Sequence, residues 1–125
     1  MDSKSLGNLE IYKKAVELSI LGWEVYQKIP KQHQYHIGNQ FLDAIDSIGA
    51  NIAEGFGRFH YKDSIKFYYY ARGSLFESKH WTYLLYKREL VDETMYNTLL
   101  TCLEKEGIKL NNFINTIKPK SDPTQ

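Results

Sequence analysis

The stretch Ile37-Gly38-Asn39-Gln40-Phe41-Leu42-Asp43-Ala44-Ile45-Asp46-Ser47-Ile48-Gly49-Ala50-Asn51-Ile52-Ala53-Glu54-Gly55-Phe56-Gly57 decides the fold. Ile37, Phe41, Ile45, Ile48, Ile52 and Phe56 recur at three- and four-residue spacing, which places them on one face of a helix. Gly55 and Gly57 mark its end. Weaker patterns of the same kind lie on either side. The first begins after Asn8, read as an N-cap, carries Leu9, Tyr12, Val16, Trp23 and Tyr26 near one stripe, and ends at Ile29-Pro30. A loop, Lys31-Gln32-His33-Gln34, leads into the second helix. The third pattern runs from about Tyr61 to Arg88, with Ile65, Tyr68, Tyr69, Leu75, Trp81, Leu84 and Leu85 available for burial. The fourth opens at Asp92, another candidate N-cap, and carries Met95, Leu99, Leu103, Leu110, Phe113 and Ile117. Neither sustained two-residue alternation nor a hairpin turn pair argues for strands.

Helices of roughly 20 to 27 residues span roughly 30–40 Å, and short loops between them favour antiparallel neighbours. The expected fold is therefore all-α, an antiparallel up-down-up-down four-helix bundle. It occupies residues 1–118 as one domain, followed by a polar, proline-broken tail at 119–125 that is expected to be disordered.

The net charge of +1 predicts no polyanionic partner, but the charge is unevenly spread. Residues 1–57 hold five Lys/Arg against seven Asp/Glu, residues 58–90 seven against three, and residues 91–125 four against five. The middle third, at +4, is the one electrostatically plausible anion-facing region. The single cysteine, Cys102, excludes an intramolecular disulfide and a cysteine-based zinc site. There is no apolar run long enough for a bilayer and no signal-peptide pattern, so a cytoplasmic location without membrane contact is expected.

Two segments break the rules of a simple core: Asn51 to Arg58, and Ala71-Arg72-Gly73-Ser74-Leu75-Phe76-Glu77. Interior helical glycine costs roughly 1 kcal/mol against alanine, and buried charge needs a partner. Gly55, Gly57 and Gly73 fit a close helix approach or the turn itself. If the chain turns near Phe59-His60, residues whose numbers sum to about 119 lie level on antiparallel helices. Arg72 is then within reach of Ser47, Asn51 or Glu54, while Glu54 and Arg58 share a favourable i,i+4 spacing. Two readings remain open. Ser47, Asn51, Glu54, Arg58, Arg72, Ser74 and Glu77 form a structural polar network that fixes register or an oligomer seam; alternatively, Arg58, Lys62, Lys66 and Arg72 bind phosphates of nucleic acid.

The run Tyr68-Tyr69-Tyr70 sweeps roughly 200–300° around a helix, so its members cannot all face one core. Tyr70 above all, with Tyr69, is the candidate for exposure or a subunit interface. Catalytic chemistry finds no purchase. His33 and His36 lack the Glu-x-x-His partners of a di-iron bundle, His60 and His80 do not align with Arg72, and Ser74 has no nucleophile-elbow context. No phosphate-cradling loop is present either. A protein that is not an enzyme, with no cofactor and no metal, is expected.

The blocks Ser47 to Arg58 and Ala71 to Glu77, with Tyr12-Lys13-Lys14-Ala15, Ile29-Pro30-Lys31, Tyr35, Gln40 and Phe67, carry a resemblance over nearly the whole chain. The sequence resembles the four-helix-bundle proteins encoded in 23S rRNA intervening sequences. The resemblance implies an antiparallel bundle assembled as a ring-like homo-oligomer, a pentamer, with no known enzymatic activity. It implies a suspected link to rRNA or the ribosome. A related group serves as accessory proteins of diversity-generating retroelements and binds nucleic acid and a reverse transcriptase. The partners implied are thus the chain itself, rRNA or DNA, or another protein. This sequence departs from the family pattern at Leu42 and Asp43, where basic residues are usual, at Asp46, usually apolar, and at Gly49, usually proline. Losing positive charge from the second helix weakens the nucleic-acid reading and favours its competitor, a purely protein-binding oligomeric scaffold.

Overall fold

The computed structural model describes residues 5–121, with side chains placed for 5–117. Four long helices follow one another among these residues: α1 (Glu10–Lys28), α2 (Asn39–Gly57), α3 (Tyr61–Lys87) and α4 (Glu93–Ser121). No strand occurs among the described residues. Consecutive helices pack side by side, and α1 closes against α4.

Neighbouring positions run in opposite senses, which makes each adjacent pair antiparallel. Gly22 lies against Ile45 and Ala15 against Gly49. Gly55 lies against Tyr68 and the backbone of Ser64, and the Ser64 hydroxyl donates to the Gly55 carbonyl, a pair whose numbers sum to 119. Tyr68 meets Phe113 edge to face at 4.9 Å, Gly107 lies against Leu75, and Tyr86 stacks on Tyr96 at 4.5 Å. The up-down-up-down order follows from these registers and the short connections.

Each helix contributes an inward stripe at three- and four-residue steps. The stripes are Ile11, Ala15, Leu18, Gly22 and Val25 on α1, and Phe41, Ile45, Ile48 and Ile52 on α2. On α3 they are Tyr68, Ala71, Leu75, Ser78, Thr82 and Leu85, and on α4 Leu99, Leu103, Glu106, Leu110 and Ile114. The α1 stripe corrects the sequence expectation. Val16 and Trp23 face outward, and Tyr12 and Tyr26 are only half-buried. Small Ala15 and Gly22 let α1 approach α2 closely, as an added Cβ at Gly22 would stand 3.1 Å from Ile45. The larger aromatic face turns away.

The ends refine the sequence reading. Asp92 caps α4, accepting from the Met95 N–H at 2.8 Å. Asn8 does not cap α1; it belongs to a 3-10 turn, Leu6–Asn8, and its side chain donates to Ser5. The expected loop after Pro30 is instead a helical turn, Lys31–His33, running into a π-helical segment, Gln34–Gly38. Gln34 stabilises it by donating to the carbonyls of Tyr26 and Ile29 at the end of α1, both at 3.0 Å, the Tyr26 carbonyl also accepting from the Ile29 N–H. The α3–α4 turn is a Schellman arrangement: Leu90 N–H bonds Leu85 C=O, Glu89 N–H bonds Tyr86 C=O, and Glu89 sits at φ 59°. At the other end α4 continues to Ser121, three residues past the expected boundary at 118. The rest of the expected tail lies outside the described residues.

Candidate functional site

The α2–α3 corner gathers three of the four phosphate-binding candidates. Arg58, at the end of α2, pairs with Glu54 at 3.0 Å, as the i,i+4 spacing predicts. Both partners are substantially exposed, so the pair contributes only a few tenths of a kcal/mol. The Arg58 guanidinium also lies over the Phe67 ring at 4.7 Å, and the Lys66 ammonium over the same ring at 5.4 Å. Lys62 is exposed one turn from Lys66. Between the helices Phe59 projects with 96% of its surface exposed, its ring edge-on to His60. Phe67 meets Tyr70 edge to face, and Tyr70 and Tyr69 are both exposed, as the tyrosine run predicts. Behind the corner, burial pushes the Tyr68 phenol up, partly opposed by its hydrogen bond with Ser64.

Arg72 is not part of this corner, and the residues of the expected polar network do not join across helices. Ser47 donates to the Asp43 carbonyl at 2.7 Å and Asn51 to the Ser47 carbonyl at 2.9 Å, both within α2. In α3, Ser78 donates to the Ser74 carbonyl at 2.8 Å, and Glu77 accepts from the Trp81 indole at 3.0 Å. These are local bonds to the residues' own helices. Arg72 follows the fully buried Ala71, and one residue's 100° rotation carries it out of the core and towards α4. There it lines a shallow groove with Phe76, Lys79, Glu104, Ile108 and Asn111, exposed and without an ion pair among the described residues. Nor does Gly73 serve a close approach within the chain, since a Cβ there would meet nothing within 4 Å.

A second groove runs along the opposite seam, between α1 and α2. Tyr12, Val16, Ile20 and Trp23 line one wall, and Asp46, Gly49, Ala50 and Ala53 the other. Val16 is 37% exposed, Ile20 58% and Trp23 50%. With Ile11, Leu18 and Val25 already in the core, α1 is apolar on two faces.

Sequence reasoning missed one residue entirely. Glu106 is fully buried, and both of its carboxylate oxygens lack a hydrogen-bond partner among the described residues. Burial pushes its carboxyl up to about 8; Lys14 and Lys109 oppose the shift, and Glu10 and Glu17 reinforce it. The signal was present in the sequence, because Leu99, Leu103, 106 and Leu110 continue one 4-3-4 stripe. Thr82, buried on α3, likewise has no hydrogen-bond partner for its hydroxyl among the described residues. His80 packs edge-on against Trp81, and Cys102 is a free, half-buried thiol. Among the described residues no group of three or more His, Cys, Asp or Glu side chains is placed to hold a metal ion. No described helix is long and apolar enough to cross a membrane.

A four-helix bundle with an exposed apolar seam and a small basic-aromatic corner defines a fold class that hosts many functions, not a particular activity. The particular family is defined by sequence: residues 7–112 match the 23S rRNA-intervening sequence proteins, and the chain belongs to that family. Among solved structures it is similar to a protein of unknown function from the S23 ribosomal protein family of Bacteroides thetaiotaomicron VPI-5482. That likeness has a TM-score of 0.78 and 23% identity, covering 83% of this chain and 97% of the other. No curated protein matches.

Proposed function

We propose that the protein is a non-enzymatic, self-associating bundle whose α1–α2 seam docks on the α3–α4 seam of another copy. The observation that carries this reading is the second apolar face of α1, with Ile20 and Trp23 each at least half exposed. Single exposed apolar residues are ordinary, but a continuous stripe opposite a complete core stripe calls for a partner. A second copy supplies one. The α3–α4 groove is also partly apolar, through Phe76 and Ile108, and carries Arg72 and Lys79. The α1–α2 groove carries Asp46, without an ion pair among the described residues, and Asp43 lies one turn away on the same helix. The two seams are different surfaces, so their contact is head-to-tail, a geometry that closes into a ring when the rotation between copies divides a full turn and otherwise runs on as a filament. The pentamer implied by the family resemblance is the expected state.

Light scattering across concentration tests this. A ring-sized mass is expected, Trp23→Lys should reduce it to that of the single chain with helicity unchanged, and Asp46→Lys should weaken assembly unless combined with Arg72→Asp. A wild-type chain that stays monomeric at all concentrations would overturn the reading.

A second reading, contact with rRNA or other structured nucleic acid, is favoured by Phe59, an exposed ring flanked by Arg58, His60 and Lys62. Part of the Arg58 charge is already engaged by Glu54 and Phe67. Gel-shift titration with rRNA fragments separates the readings: phosphate contacts demand steep salt dependence and loss of binding in Lys62→Glu and Lys66→Glu. Assembly without any shift supports the purely protein-binding scaffold.

A further inference from the structure

Glu106 lies in the middle of α4, on the stripe otherwise formed by Leu99, Leu103, Leu110 and Ile114. Its exposure is 0%, and neither oxygen finds a donor among the described residues. A carboxylate so placed loses its hydration and gains nothing in exchange, so the folded chain favours the neutral acid. The charged groups facing it come from two helices. Glu10, Lys14 and Glu17 belong to α1, and Lys109 to α4 itself. Neither lysine comes within ion-pair distance, and the two glutamates cancel part of their field. From α3 the core receives Leu75, Ser78 and Thr82, and from α2 Ile45, Ile48 and Ile52, none of them charged. The α1–α4 seam, where Glu106 meets these α1 charges, is the least extensive of the four helix seams.

We propose that Glu106 is a proton-controlled latch of the α1–α4 seam, which is closed over the neutral acid and loosened when the carboxylate forms. The sign is fixed by the two states. The carboxyl has an ordinary value of 4.5 when solvated and titrates at about 8 when folded. Below the first value both states are protonated and the fold carries no penalty. Between them only the unfolded chain loses the proton, so the folding equilibrium falls by up to tenfold, roughly, per pH unit. The loss is complete above the folded value. Stability is therefore present in acid and lost as pH rises through about 8.

The test is urea denaturation of wild type and Glu106→Gln between pH 6 and about 9, in the region set by this linkage. Wild type should lose up to about a hundredfold in folding equilibrium over two pH units, relative to a Glu106→Gln chain that has no such carboxyl. Cys102, one turn from Glu106 on α4, reports the opening. Its reaction with a disulfide reagent at pH 8.5 should be faster in wild type than in Glu106→Gln. Parallel pH dependence in the two chains, with equal Cys102 reactivity, would overturn the proposal. If Glu106→Gln does not fold, infrared spectroscopy of wild type decides instead. A protonated-carboxylic-acid band present at pH 6 and lost by pH 9 supports the latch, and absence of that band at pH 6 refutes it.

Discussion

Replacing Gly55 by alanine tests whether the α2–α3 hairpin is held by steric contact. A Cβ at this position would stand 3.0 Å from two atoms of the Tyr68 ring and 3.1 Å from the Ser64 carbonyl oxygen. Neither neighbour is free to give. Tyr68 is 3% exposed and wedged edge-on against Phe113, while the first turn of α3 is tied to Gly55 through the Ser64 hydroxyl. Overpacking of this kind costs about 1–3 kcal/mol, against up to about 1 kcal/mol gained from helix propensity. Gly73→Ala supplies the control. Its Cβ meets nothing within 4 Å, and no glycine in the chain has positive φ, so the propensity gain of about 1 kcal/mol should appear unopposed. The two variants should thus move in opposite directions from wild type. In thermal melts followed by circular dichroism each kcal/mol is worth about 4 °C for a chain of this size. A Gly55→Ala protein as stable as wild type would refute the close-approach argument. Loss of assembly in Gly73→Ala without loss of helicity would instead put that glycine in the subunit seam.

The turn between α3 and α4 offers two further measurements. Asp92→Ala removes the acceptor of the Met95 N–H and should destabilise by about 1 kcal/mol in urea unfolding, with Asp92→Asn largely retaining the cap. Glu89→Gly relieves a left-handed residue of its Cβ at φ 59° and should stabilise by roughly 0.5–1 kcal/mol, an expectation sunk by a lower melting temperature.

What the sequence disclosed follows from how strongly each segment is patterned. In α2 the branched and aromatic residues fall on one face only, and the predicted stripe is buried from Ile37 to Ile52, with Phe56 at the helix end partly exposed. The α3 pattern is diluted by Ser78 and Thr82, small polar residues that satisfy or hide their hydroxyls in the core, so hydrophobicity alone overlooks them. Glu106 escaped for a stronger reason. Ionised carboxylates are almost never fully buried, and only the unbroken spacing from Leu99 to Leu110 reveals that this one replaces a leucine. Arg72 illustrates a limit of level-matching on antiparallel helices. Equal height placed it opposite Ser47, but azimuth decides contact, and Ala71 takes the inward position.

In α1 two apolar stripes compete for the core. Ile11, Ala15, Leu18, Gly22, Val25 and Ile29 form one 4-3-4-3-4 series, while Tyr12, Val16, Ile20 and Trp23 form a second, rotated by about one residue. Hydrophobic size alone favours the bulkier series for the core. The fold instead chose by fit, because only the series containing Ala15 and Gly22 lets α2 approach to where Ile45 and Gly49 lie. The rejected series did not become polar in consequence. An α1 that needed only to fold could carry lysine or glutamate where Ile20 and Trp23 stand, at no loss to the core. Keeping large apolar side chains there exposes surface whose burial is worth about 25 cal/mol per Å², and that gain is realised only against a partner. The same face borders Asp46 and Gly49. Asp46 would place a negative charge in any seam formed there. In the proposed assembly the docking copy would answer it with a cation, and the opposite groove offers the exposed Arg72 and the half-buried Lys79. Charge reversal at Asp46 that left assembly untouched would separate the apolar part of this argument from the electrostatic part.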